Sequence, residues 1–286
     1  MRRNNKRVIR RILYLFIILA AMYLVETANP EGSSFHSLPS ISTESEVSSD
    51  ANGKKTGDAS AWQTASDTGA TTIATDGSSI PVPPVSASDI PDYTGSDTYV
   101  VNGNTPFFSE QELTTNEFEL YSELDSFGRC QTAFANISSY TLPTEKRGEI
   151  SEVKPTGWHQ AAYEEVLQEE QNAWLFNRCH LIAYSLAAEN ANPNNLITGT
   201  RHMNMAMTTY ENMVGDYAKE TGNHVAYRVT PIFDGDDLLA KGVLMEAESV
   251  EDKGADILYC VFLYNVQPGV TIDYATGYSS GTKIEK

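Results

Sequence analysis

Cysteine is scarce in this chain. Only Cys130, Cys179 and Cys260 occur in 286 residues, an odd number with no close spacing. That excludes a disulfide framework and a cysteine-rich zinc site, while leaving room for one bridge outside the cell. Positive charge is also short, with 20 Lys and Arg against 38 Asp and Glu and a formal net charge of −18. So acidic a chain is not held to nucleic acid or anionic lipid by bulk charge, though the balance does not forbid a local basic groove. There is no internal repeat and no glycine-rich phosphate loop of the GxGxxG or Walker kind. Long apolar runs are missing too. The longest, Ile12 to Val25, falls short of the ~20 residues that span a membrane comfortably.

What cationic charge there is gathers at the start, where six Lys or Arg occupy the first eleven residues. A basic start followed by a short apolar run reads as a secretory signal or an uncleaved signal-anchor over residues 1–28. Glu26-Thr27-Ala28 is only a passable cleavage site, so an anchor is read slightly ahead of a cleaved signal. The working domain then lies on the extracellular side of the membrane, anchored or secreted. Residues 29–100 are dominated by Ser, Thr, Asp, Gly, Ala and Pro. They read as a disordered tether, because too few apolar side chains are present to offset chain entropy.

Residues 101–286 are expected to form one domain. It holds 27 Asp and Glu against 12 Lys and Arg, so any anion site must be local. Phe108 to Ser126 has helix-like spacing of Glu and Leu, Thr141 to Gly157 is turn-rich, and Tyr163 to Leu175 reads as a helix or a long loop. Met203 to Glu220 is expected to be a helix with Met205, Val214 and Tyr217 facing a core and Gly222 as its stop. From His224, three alternating apolar runs with an Asp-Gly turn after the first predict an antiparallel sheet. The fold class is therefore α+β.

The chemistry-bearing stretch is Asn177-Arg178-Cys179-His180, followed by Asn192 to Arg201, then Asn204 at the start of the helix and Glu211 two turns along it. Taken singly these residues have plain structural readings: turn asparagines, a helix cap, a solvated charge. Taken together they suggest a phosphodiesterase. A helix-borne Asn oxygen near a strand-borne His can hold one hard cation such as Mg²⁺, which keeps several waters and tolerates a single protein ligand. A neutral imidazole can take a proton from water, and guanidinium groups can grip phosphate.

Several ordered stretches resemble the DNA/RNA non-specific endonucleases of the His-Asn ββα-metal type, in the branch of DNA-entry nucleases and streptococcal secreted DNases. They are KRGEI at 146–150 with PTGW at 155–158, NRCHLIAYSLA at 177–187, NPNNLITGTRHMN at 192–204, YEN at 210–212, then RVTPIF, GVLMEAESVED and YNVQPGVTIDYATG. The likeness spans about residues 128–278. It implies an antiparallel sheet carrying a ββα-metal finger, and sequence-non-specific cleavage of DNA, with RNA left open, to give 5′-phosphate ends. It also implies His180 as general base, Asn204 as the direct Mg²⁺ ligand (Mn²⁺ as substitute), Asn195 arranging the site, and Glu211 holding water on the metal. Arg178, Arg147 and Arg201 become the phosphate contacts. The family's usual Asp-Arg-Gly-His is here Asn177-Arg178-Cys179-His180. Neither change touches His180 or Asn204, so an active enzyme is expected. Two other classes compete: a non-catalytic nucleic-acid-binding module, and a thiol-dependent cell-wall hydrolase. The second is disfavoured because neighbouring residues of a strand face opposite ways, which separates Cys179 from His180.

Overall fold

The computed structural model describes residues 70–166 and 173–283; the leader and the first part of the tether lie outside them. Its frame is a six-stranded antiparallel sheet in the order β3 (Thr98–Val100), β10 (Leu258–Tyr264), β9 (Gly242–Ser249), β8 (Val225–Ile232), β5 (Ala133–Ile137) and β4 (Glu119–Tyr121). The three runs expected after His224 are β8, β9 and β10, paired as successive antiparallel neighbours.

Every residue of β8 is buried, because both faces of the sheet are covered. On one face Tyr227, Val229, Val243, Met245, Ala247, Val261 and Leu263 form the main core. Against it lies α2 (Arg201–Thr221), through Met203, Met207, Val214 and Ala218. Thr200 caps this helix by accepting from the Met203 N–H, so Asn204 is free of that task. Gly222 ends it at φ 75°, a conformation that costs glycine nothing. Val214 and Tyr217 face the core as expected, whereas Met205 is 48% exposed on the opposite side of the helix.

The other face carries Leu244, Phe262, Cys260 and Phe134, and residues 70–118 pack over it. This changes the domain boundary. Strands β1 (Thr71–Ile73), β2 (Ser79–Pro81) and β3 all lie within the stretch expected to be tether up to residue 100, and Ile80, Val85 and Ile90 are buried there. Their apolar residues are few, but the sheet supplies the surface that buries them. A buried ion network fastens this cover. Arg228 of β8 bonds Glu246 of β9 at 2.8 and 3.0 Å and Glu112 at 2.7 Å, and its guanidinium stacks over Phe108. Glu246 also accepts from the Phe107 N–H at 2.7 Å.

Phe108 to Ser126 is not a helix. Its regular element is β4, and Phe118 and Leu120 pack around Phe134 at strand period. Thr114 and Asn116 turn their carbonyls toward the buried Asn136 amide, which diverts the backbone from helical bonding. In the Tyr163–Leu175 stretch a 3₁₀ turn covers Glu164–Val166, and residues 167–172 lie outside the described set. All three cysteines are free and buried, so no bridge forms among them. Among the described residues no helix is long and apolar enough to cross a membrane.

The remaining piece positions the site. Strands β6 (Phe176–His180) and β7 (Leu196–Thr200) pair antiparallel, from Phe176 with Thr200 to His180 with Leu196, and α2 starts at the next residue. Between them lie the short helix α1 (Tyr184–Ala187) and a 3₁₀ turn at Pro193–Asn195. A small hairpin of β11 (Thr271–Ile272) and β12 (Ser279–Ser280) closes the chain.

Candidate active site

The β6–β7–α2 unit is a ββα finger, and its placement follows from local bonding. Asn195 is fully buried, and its side chain accepts from the Ile182 N–H at 2.8 Å and donates to the Ile182 carbonyl at 2.9 Å. That clamp fixes the end of β6 just past His180. It also uses up the Asn195 amide, so this residue positions the site rather than facing it. Asn265, also fully buried, accepts from the Thr200 N–H and donates to the carbonyls of Thr198 and Ala240. It ties β7 to the rim of the large sheet and so sets where α2 begins.

A cavity of about 330 Å³ opens over β6, lined among others by Arg147, Asn177, Arg178, His180 and Asn204. The strand-borne imidazole and the first-turn amide of the helix therefore share one compartment. His180 Nε2 lies 2.8 Å from the Asn190 carbonyl oxygen. A carbonyl only accepts, so Nε2 carries the proton and Nδ1 keeps a bare lone pair. Burial, together with the charge of Arg147, holds the imidazole below its usual pKa against the opposing pull of that carbonyl. Both effects favour the neutral ring over the imidazolium.

Arg178 donates to the carbonyls of Val153 and Ser151, the latter at 2.8 Å, and its guanidinium lies 4.2 Å from the Trp158 ring centre. Those backbone acceptors hold it in place without the acid that Asn177 replaces. Two of its five N–H groups are engaged this way, which leaves a preoriented fork on the cavity wall. Arg147 is exposed at the cavity rim. Arg201 is not brought to the cavity. At the first position of α2 its backbone N–H bonds the Leu175 carbonyl, and its Nε is buried without a partner.

Glu211 follows Asn204 by seven residues, close to two full turns, and so lies on the same side of α2. No hydrogen bond or ion pair from the described residues reaches its carboxyl, and burial pushes its pKa up to about 7. Among the described residues none hydrogen-bonds the Asn204 side chain either, while its backbone carbonyl accepts from the Thr208 hydroxyl. An unspent amide oxygen on the cavity wall and an unsatisfied carboxyl two turns along suit a hydrated divalent ion. The described residues hold no group of three or more His, Cys, Asp or Glu that could bind a bare one.

Cys179 points the other way. It is fully buried, and burial and the charge of Glu211 push its thiol well up, so it offers no thiolate nucleophile. A Cβ at Gly199 would collide with its sulfur, so the glycine on β7 makes the room that a side chain at 179 needs. The remaining histidines that can be placed have structural partners: His202 with Asp97 and His224 with Glu251, each at 2.7 Å, and His159 stacked on Tyr278.

Sequence reasoning missed Gln160, Asn190, Trp158 and Trp174. Gln160 mimics an extra strand on the edge of β6, donating to the Phe176 carbonyl and accepting from its N–H. Asn190 acts through its backbone carbonyl, which any residue type supplies. The PTGW stretch was the one available pointer to Trp158.

An antiparallel sheet bearing a ββα finger, with an imidazole and an amide converging from strand and helix, defines a finger-type nuclease fold. Residues 109–251 match the family described as DNA/RNA non-specific endonuclease. The chain belongs to that family and is an endonuclease. Among solved structures it is similar to NucA from Streptococcus agalactiae with magnesium ion bound, at 26% identity and TM-score 0.57, covering 65% of this chain and 87% of that one. The same protein with no metal bound aligns at 25% identity and TM-score 0.58, covering 69% and 92%. The Sda1 nuclease with bound zinc ion aligns at 29% identity and TM-score 0.47, covering 60% and 82%. No curated protein sequence matches the chain.

Proposed function

We propose that the protein hydrolyses phosphodiester bonds of DNA, and of RNA as a second substrate, with His180 as general base and Asn204 as the protein ligand of Mg²⁺. The observation that carries this reading is the shared cavity. His180, its Nδ1 left bare by the Asn190 carbonyl, lies in one compartment with the uncommitted Asn204 amide and the guanidinium of Arg178.

Arg178 and Arg147 grip the non-bridging oxygens of a phosphate on the cavity wall, Arg178 through a fork already fixed by Ser151, Val153 and Trp158. His180 takes a proton at Nδ1 from the attacking water, while Nε2–H stays on the Asn190 carbonyl and keeps the ring from turning. A divalent ion, when bound, supplies positive charge to the phosphate and to the departing 3′-oxygen, which leaves a 5′-phosphate end. Glu211 would hold water on that ion. Asn195 fixes the end of β6, and Arg201 contributes to phosphate binding only if the substrate reaches beyond the cavity. The grip is on the backbone, which carries no sequence information, in keeping with non-specific cleavage.

The basic start and short apolar run of the sequence support activity outside the cell membrane, with the domain retained by the leader or released by its cleavage. NucA from Streptococcus agalactiae, to which the domain is similar, binds magnesium. That supports Mg²⁺ here, with Mn²⁺ as a substitute. The test is conversion of supercoiled plasmid to nicked and linear forms with Mg²⁺, after chelation by EDTA, and after Mg²⁺ is restored. Activity that survives chelation refutes the metal reading. Inactivity under all three conditions favours a non-catalytic binding module.

A further inference from the structure

The segment that carries Arg147 has almost no bonding of its own. Residues 144–150 belong to no helix or strand. Among the described residues, the only backbone–backbone bond within 142–154 runs from the Val153 N–H to the Ile150 carbonyl. What fastens the segment comes from the finger, and always to its carbonyls. The Tyr184 hydroxyl of α1 donates to Glu145 at 3.0 Å and the Asn190 amide to Glu149 at 3.3 Å. Arg178 of β6 donates to Ser151 at 2.8 Å and to Val153. Arg147 lies two residues after Glu145 and two before Glu149, so Tyr184 and Asn190 bracket it.

Asn190 does more than fill space. Its backbone carbonyl holds His180 Nε2, while its side chain turns to a different partner. One residue thus touches both the imidazole and the segment of Arg147. Its Oδ1 is buried with no partner among the described residues. An unpaired buried oxygen costs stability, so an apolar side chain would pack better here. The segment also comes very close. A Cβ on Gly148, next to Arg147, would lie 2.9 Å from Asn190 Nδ2. Gly148 is not in the left-handed region, so it serves the close approach rather than a turn. Arg147 and His180 line the same cavity, and the charge of one is felt by the other.

We propose that Asn190 and Tyr184 are positioning residues for Arg147, holding its guanidinium at the cavity rim against the phosphate that His180 serves. This rests on the proposed assignment of Arg147 and His180 to that phosphate. A segment that had to order itself at each encounter would lose the ordering entropy from its affinity, and a fastened one does not. The effect of both residues therefore falls on KM.

The test is a double-mutant cycle against Arg147→Gln, with cleavage of a fluorescein-labelled DNA duplex in Mg²⁺ as the readout. In the wild-type background Tyr184→Phe and Asn190→Ala each raise KM about three- to tenfold and leave kcat within about twofold, since the carbonyl at 190 is kept. In the Arg147→Gln background the same changes cost less than about twofold, because the group they position is gone. Gly148→Ala, which drives a methyl group at the Asn190 amide, raises KM as well and adds nothing in the Asn190→Ala background. Neither Tyr184→Phe nor Asn190→Ala lowers Tm by more than about 5 °C. Costs that stay full-sized in the Arg147→Gln background overturn the proposal, as does a loss carried by kcat or by melting. Fluorescence anisotropy of the same duplex with EDTA present reads the cycle without cleavage and so separates this proposal from the catalytic one. If cleavage is absent throughout, non-additive losses of affinity still support the positioning. Additive losses, or an Arg147→Gln variant that binds as the wild type does, refute it.

Discussion

Replacing Glu246 by Ala tests whether the cover over the outer face of the sheet is held by its buried charges. Arg228 is 1% exposed and Glu246 fully buried, and Arg228 donates two hydrogen bonds to the Glu246 carboxylate, at 2.8 and 3.0 Å. Removing one member leaves a buried guanidinium half-compensated, which typically costs about 3–5 kcal/mol. Glu112 stays at 2.7 Å from Nη1, which places the expected loss at the lower end, about 3 kcal/mol. The variant also frees the Phe107 N–H, so the damage falls where residues 70–118 meet the sheet. At ~2–4 °C per kcal/mol for a domain of this size, Tm should drop by about 6–12 °C. Calorimetry of the full chain, with urea melts for the free energy, gives the number. A paired Arg228→Met, Glu246→Leu variant should recover most of the loss, since two apolar side chains leave no charge unpaired. A loss below about 1 kcal/mol for Glu246→Ala would refute the reasoning, because it would mean that the charges are solvated or the cover is loose.

Arg178→Lys keeps the charge but loses the fork and the stack on Trp158; kcat/KM on plasmid DNA should fall about a hundredfold, mostly in KM, with little change in melting. The acid limb of the kcat/KM–pH profile should have its midpoint below the ordinary imidazole value of 6.5, because burial and Arg147 disfavour protonated His180. Arg147→Gln removes a repelling charge, so the same midpoint should move up. Asn204→Ala should raise the Mg²⁺ concentration needed for half-maximal rate by about tenfold or more, measured by metal titration. Iodoacetamide should leave native activity intact, because all three cysteines are buried and burial pushes the Cys130 thiol up to about 12; rapid inactivation would revive a thiol role.

What the sequence discloses, and what it hides, follows from where each interaction lives. Strands β8 to β10 are legible because alternation within one segment records both faces of the sheet. His180 and Asn204 are legible because a strand and a helix start are local patterns, and the order of several motifs joins them. The N-terminal cover is hidden. Ile80, Val85 and Ile90 are isolated among Ser, Pro and Asp, and only the distant sheet makes their burial worthwhile, β5 and β8 for Ile80 and mainly β9 and β10 for Val85 and Ile90. Arg201 and Arg178 look equivalent as residues. One starts a helix with its Nε turned into protein, while the other alternates onto the cavity face of β6. The carbonyl of Asn190 that sets the tautomer of His180 leaves no trace in residue type at all.

The most direct test of the account is the single-turnover rate of plasmid nicking at saturating Mg²⁺ for the wild type and His180→Ala. Loss of a general base predicts a fall of about 10²–10⁴-fold with DNA binding retained. A variant that nicks at the wild-type rate would show that the imidazole over this cavity is not the base, and the mechanism built on it would fail.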